Sequence, residues 1–270
     1  MAHLKRLAIQ ILANRGYLNV TDDIFLRNRD VDEIANDLIE NYKYLQNKTE
    51  MSNDEVIEQI VFRPKCGNST FVRNQRHLIH NENILRFAKS SGYKFNLSSL
   101  GNPPVISYSI KNYYPQIHKD DIEQAVRYAF DEWEQFIPIS FRRTNPNENS
   151  IIKLSWEQRN HNCVLKFDGR RTGRGNSVAH AGYPDIHSSI FGQIHFDYDE
   201  IWSVNPRNDM EIDLQSVTLH EVGHILGLEH SLIEGEVMYE DYIGINRRLT
   251  MDDIQSIKDL YNLRSRIFFT

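Results

Sequence analysis

Apolar positions recur at helical spacing through residues 1–62. Leu7, Ile11 and Leu12 make one stripe; Val31, Ile34, Leu38, Tyr42 and Leu45 a second; Val56, Ile57, Ile60 and Val61 a third. Each matches one face of a helix. Ser52, with Glu55 three residues on, predicts a capping box at the start of the third helix. Three short helices bury little by themselves, so a small bundle docked on something larger is expected. From 69 to 101 the chain is polar and rich in Asn and Ser. The pattern then changes. Residues 104–110 read as a strand, and 121–136 carry Ile122, Ala125, Val126, Ala129, Phe130 and Trp133 at helical spacing. Residues 139–141 and 151–154 read as further strands. Asp213 is placed to cap a helix from Leu214, and Thr250 with Asp253 to cap a closing helix that packs through Ile254, Ile257, Leu260 and Tyr261.

The chemistry concentrates in residues 220–230, His-Glu-Val-Gly-His-Ile-Leu-Gly-Leu-Glu-His. On a helix, His220 and His224 lie one turn apart on one face, so both imidazoles can bind one metal ion. Gly227 lets the chain leave the helix, and His230 can return as third ligand. Three neutral nitrogens leave one tetrahedral position open, the mark of a catalytic zinc site. Glu221 sits where a carboxylate can act as general base.

Composition adds limits. In 270 residues there are 40% hydrophobic and 25% charged positions, and the formal charge is −6. That mild acidity gives no reason to expect nucleic acid or an anionic membrane as partner. No apolar run is long enough to span a bilayer. Residues 1–13 read as an amphipathic helix and make a poor signal peptide. With two cysteines, Cys66 and Cys163, no disulfide framework is expected.

The histidine motif, followed by Met238, resembles the metzincin zinc endopeptidases. Ser231 after the third histidine, with Val237, Met238 and Tyr239, resembles the matrix metalloproteinase branch, the matrixins. The resemblance implies an α+β fold: a small helical propeptide bundle, then a metzincin (zincin-like) catalytic domain with a mixed twisted sheet, long helices and a zinc-binding active-site helix. It divides the chain into a propeptide at 1–72, an activation linker at 73–101 and a catalytic domain at 102–264, a minimal form without a hemopexin-like domain. Met238 would form an apolar floor beneath the metal. Residues 63–68, Arg-Pro-Lys-Cys-Gly-Asn, are similar to the matrixin cysteine switch, in which the propeptide thiol of Cys66 fills the open zinc position of the latent enzyme. Flanking cations are expected to lower the thiol pKa; Lys65 replaces the family's usual arginine, and Asn68 and Ser69 replace its usual tail with the aspartate. Arg73 to Arg76 form a minimal dibasic-type cleavage site.

By the same resemblance His161, His180 and His195 are structural-zinc ligands. Cys163 stands where the family has an aspartate; either it ligates as thiolate or it is a packed apolar residue, and the three histidines favour ligation. Asp168, Asp197 and Glu200 match side-chain ligands for a structural calcium, completed by carbonyls near Gly169, Gly175 and Ser177. Gln193 replaces an aspartate of another calcium, so that ion is not expected. Ala179 and Ala181 fall on the sheet's edge strand, which pairs with extended substrate in the family. Tyr239 and Tyr242 resemble the wall of the specificity pocket, whose loop is shorter than usual.

The resemblance implies a secreted monomer acting on protein or peptide substrates, extracellular matrix proteins among them, and meeting matrixin-type protein inhibitors. Two rivals are an astacin-like protease, against which Ser231 and the structural-site histidines argue, and a non-catalytic decoy binding inhibitors or matrix, for which Glu221 would be superfluous.

Overall fold

In a computed structural model, residues 2–14, 31–68, 91–163, 165–169 and 177–263 are described. Among these residues the first helices are α1 (Ala2–Asn14), α2 (Val31–Leu45) and α3 (Asn53–Phe62). The predicted capping box opens α3, with Ser52 and Glu55 bonding reciprocally. Ala8, Leu12, Leu38, Tyr42, Ile57 and Ile60 bury one another between these helices. One residue from far along the chain, Leu232, joins this cluster.

Next come β1 (Lys65–Cys66), a 3-10 turn (Leu97–Leu100), β2 (Val105–Ile110), α4 (Lys119–Glu134), β3 (Ser140–Arg143), β4 (Ile152–Glu157), β5 (Ser177–Ala181) and β6 (Gln193–Asp197). A short pair, β7 (Trp202–Ser203) and β8 (Ile212–Asp213), leads into α5 (Leu214–Leu226), and α6 (Met251–Leu260) closes the described chain. The main sheet has the order β1-β5-β6-β4-β2-β3 and is parallel except for β5 against β6. It is the mixed sheet of an α+β fold.

Helix α4 begins at Lys119, two residues before the apolar pattern, because the His118 ring accepts from the Asp120 amide as N-cap. It lies over β2 and β3: the Phe130 ring stacks on Tyr108 at 4.3 Å and packs against Phe141 at 4.8 Å. Trp133, fully buried, donates its indole N–H to the Leu219 carbonyl at 2.8 Å and so ties α4 to α5. This contact, with the apolar face of α5, fixes the histidine helix against the main core.

Candidate metal centres

Helix α5 is capped at both ends by devices visible in the sequence. The Asp213 carboxylate accepts from the Ser216 amide, and Gly227 ends the helix at φ 107°. A β-carbon at Gly227 would overlap the Tyr93 carbonyl, so glycine is required twice over. The left-handed turn returns the chain, and His230 comes back over His220 and His224. His224 Nε2 lies 3.1 Å from Nε2 of both His220 and His230.

The tautomers follow from the far side of each ring. His220 Nδ1 is 2.7 Å from the Val237 carbonyl, and His224 Nδ1 is 2.7 Å from the Leu228 carbonyl. A carbonyl only accepts, so both Nδ1 atoms carry the proton and both Nε2 atoms present bare lone pairs. Two bare lone pairs at that distance repel unless a cation lies between them. Burial keeps the rings neutral: it takes His220 down to about 4, and it drives His224 well below the usual imidazole range with help from His230 and His220. The donor set fits zinc.

Cys66 completes this group. Its Sγ is 3.5 Å from His224 Nε2, and one ligand atom from each of Cys66, His220, His224 and His230 lies within 4.8 Å of the others. The expected lowering of the thiol pKa by flanking cations is not found. Burial, and then the Glu221 carboxylate, push it well above its ordinary value. Arg63 is spent elsewhere, at 3.1 Å from Glu234.

Glu221 is fully buried, no hydrogen bond reaches either carboxylate oxygen, and burial raises its carboxyl to about 8. Beneath it, Met238 is fully buried and its sulfur abuts Gly223, where a β-carbon would overlap Met238 Sδ. Asp253, read from sequence only as a helix cap, also accepts from the Val237 amide at 3.0 Å and the Met238 amide at 3.2 Å. It therefore holds the turn whose Val237 carbonyl orients His220.

A second group gathers His161, Cys163, His180 and His195, again with all four ligand atoms within 4.8 Å. His180 Nε2 is 3.0 Å from His195 Nδ1, 3.4 Å from His161 Nε2 and 3.5 Å from Cys163 Sγ. His161 Nδ1 faces the Gln158 carbonyl at 2.8 Å, which leaves its Nε2 bare. Gln193, absent from the sequence-derived site, fixes the tautomer of His195. Its amide nitrogen donates to the Ser189 carbonyl, so its Oε1 accepts from His195 Nε2 at 3.0 Å and Nδ1 is left bare. Burial and the neighbouring imidazoles hold His180 at about 2 and His195 at about 4. Cys163 is buried within the cluster, where a thiolate donor fits zinc.

The calcium candidates are arranged differently. Asp197 and Glu200 are buried, and the Asp168 carboxylate accepts from the Ser177 amide at 3.1 Å. Among the described residues the three do not form a group converging as tightly as the two histidine sets. Asp197 Oδ2 is buried with no hydrogen-bond partner, and burial raises the carboxyl to about 6 with Asp199 and Asp168 adding to the rise. Gly175 and the dibasic stretch at Arg73 lie outside the described residues.

Ala179 and Ala181 sit on β5, but β5 is not the sheet edge; its outer side is covered by β1. Gly67 donates to the Ala179 carbonyl at 2.6 Å. Asn68, one more residue the sequence did not single out as a contact, clamps Ala181 through both amide atoms, donating to its carbonyl at 2.9 Å and accepting from its amide at 3.1 Å. On the opposite wall Cys66 donates to the Glu240 carbonyl and Tyr242 to the Pro64 carbonyl. Tyr239 and Tyr242 line a cavity of about 40 Å³ beside Glu221. The Tyr242 hydroxyl accepts from the Asp213 amide, and the Tyr239 hydroxyl meets that of Tyr42 at 3.0 Å.

A helix bearing two convergent histidines and a buried glutamate, a third histidine returned by a left-handed glycine and a mixed sheet alongside together form a site whose donor set fits zinc. Residues 101–262 match the profile of the family described as Matrixin, and the chain belongs to that family. It is 40% identical over 162 residues to karilysin of Tannerella forsythia, covering 59% of this chain and 33% of that protein. It is 38% identical over 159 residues to rabbit (Oryctolagus cuniculus) macrophage metalloelastase, covering 58% and 32%. The human neutrophil collagenase match runs further, 31% over 243 residues, covering 86% of this chain and 45% of the collagenase. The chain thus spans under half the length of these relatives. Among the described residues no helix is long and apolar enough to cross a membrane.

Proposed function

We propose that the chain is a zinc endopeptidase of matrixin type, made latent by its own N-terminal segment, which hydrolyses peptide bonds in extended protein substrates. One observation carries the reading: Cys66 stands at the fourth corner of the His220, His224 and His230 group while residues 65–68 are hydrogen-bonded along β5. The three histidines would hold the catalytic zinc, and Met238 floors the site. Bound zinc supplies a Lewis acid for the scissile carbonyl and a lowered pKa for water. Glu221 takes the proton of the attacking water and returns it to the leaving nitrogen, a role suited to a carboxyl raised toward neutrality. Once β1 leaves, the backbone of Ala179 and Ala181 is open to pair with an extended substrate, and the side chain flanking the bond enters between Tyr239 and Tyr242.

His161, Cys163, His180 and His195 would hold a structural zinc. Asp168, Asp197 and Glu200 would contribute to a calcium site, which the buried Asp197 oxygen favours. The division follows: propeptide 1–72, linker 73–101, catalytic domain 102–264. Secretion, matrix proteins as substrates, matrixin-type inhibitors as partners and a monomeric state belong to the same proposal. The astacin-like rival wants a tyrosine on the zinc; Tyr239 instead directs its hydroxyl to Tyr42.

The test is cleavage of a quenched peptide by thiol-activated wild type and by Glu221→Ala. The substitution lowers kcat by roughly 10²–10⁴-fold at unchanged zinc content. Equal rates would refute the mechanism.

A further inference from the structure

The cavity beside Glu221 has an electrostatic character. Its lining includes Glu240 and Asp241, together with the buried Glu221 and Glu236, whose carboxyls burial raises to about 8, and no lysine or arginine. Glu236 is 5% exposed. Two residues before Glu236 in the chain is Glu234, and residues 231–246 contain no basic residue at all. Arg247 and Arg248, which follow, are spent on Asp213 and Glu132.

What lies against this wall is cationic. Lys48 and Arg63 both pair with Glu234, and Asp241 is close enough to favour the charge on each. Lys65 bridges Asp241 through the backbone. Pro64 and Cys66 are bonded to Tyr242 and Glu240 in the same groove. The peptide resident in this half of the cleft is therefore Arg-Pro-Lys, held by a wall that would be left with unbalanced negative charge when it departs.

We propose that residues 234–241 form a subsite for basic side chains, and that the preferred substrates carry Lys or Arg beside the scissile bond on the side facing this wall. The proposal rests on the peptidase reading and adds its specificity. A peptide that restores the lost positive charge recovers the attraction; an acidic one meets like charge in a partly dry groove.

The experiment compares quenched peptides of one backbone bearing Lys, Leu or Glu at the positions flanking the bond, at low and high salt. The enzyme is the thiol-activated full chain, as wild type, Glu234→Gln and Asp241→Asn. The Lys peptide is expected to exceed the Glu peptide about tenfold in kcat/KM at low salt and less at high salt. Each substitution should shrink the Lys-to-Leu ratio several-fold. Equal cleavage of the three peptides, or a ratio indifferent to both substitutions, overturns the proposal. A second readout needs no turnover: the rate at which Cys66 of the untreated chain is alkylated, followed by peptide mapping. Salt and Glu234→Gln should each speed it several-fold by loosening Arg63 and Lys48, and a rate unchanged by both overturns the acidic wall. A chain that cleaves none of the peptides yet shows this acceleration has lost the peptidase reading while keeping the cation-binding wall.

Discussion

Each histidine of the two clusters has two nitrogens, and the one facing away from the cluster centre decides what the other can do. For His195 that outer partner is Gln193, whose own orientation is fixed by the Ser189 carbonyl. Gln193→Leu should keep the ring in place but lose the enforced tautomer, and metal loss from the second site to a chelator should speed up about tenfold or more. An unchanged rate would show that Gln193 is idle. Asp197 offers a pH test. Its folded-state carboxyl is raised to about 6 from an ordinary value of 3.8, so the folded chain binds the extra proton. Without calcium that contribution to stability is present in acid and is lost as pH rises through about 6. Calcium favours the ionised form and should therefore raise Tm more at pH 7 than at pH 5; an equal rise would remove Asp197 from the ion's site. The grouping of these histidines was legible because spacing on a helix puts His220 beside His224. Asn68 and Asp253 were not, since their partners Ala181 and Met238 are remote in the chain and on other elements; Gln193 was not, since nothing in the strand pattern of β6 shows that its amide turns to the ring of His195 two residues on. The expected cation effect on Cys66 failed for the same reason: Arg63 is near in sequence but turned to Glu234.

Among the elements, α5 depends most on a single missing side chain. Gly223 faces Met238 and Trp133, and a methyl there would overlap the Met238 sulfur and crowd the indole. Neither neighbour has room to retreat, since both are fully buried. Gly223→Ala should cost about 1–3 kcal/mol in unfolding free energy despite alanine's better helix propensity, and should lower activity by shifting the helix that carries the ligands. A stabilised variant would mean the packing under α5 is looser than described. Most elements were readable from periodicity and caps: α3 from Ser52 and Glu55, α6 from Thr250 and Asp253, α4 from its apolar face. Its first turn was missed because His118 is an unusual cap. The strand β5 was expected as a sheet edge and is instead flanked by β1, whose two residues carry no strand pattern of their own and pair only because the groove presents a free edge.

At the scale of the molecule, among the described residues, the N-terminal segment and the region of the His220 group meet in two places besides the Lys48 and Arg63 ion pairs to Glu234. One is the strand addition at residues 65–68. The other lies away from the metal group, where Leu232 packs into the helical cluster, Gln46 bonds the Leu232 carbonyl and the Glu234 amide, and Tyr42 meets Tyr239. In the proposed latent form the first would block the cleft and the second would hold the blocker in register. A thiol at the fourth corner of a three-histidine group would then make latency depend on the bond from Cys66 to the metal. That claim is tested most directly by peptide cleavage with the intact, untreated chain beside Cys66→Ala and the double variant Cys66→Ala, Glu221→Ala. Wild type is expected to be silent until its thiol is modified, Cys66→Ala to cleave without treatment at a rate at least about tenfold higher, and the double variant to cleave nothing. Untreated wild type as active as Cys66→Ala would contradict it.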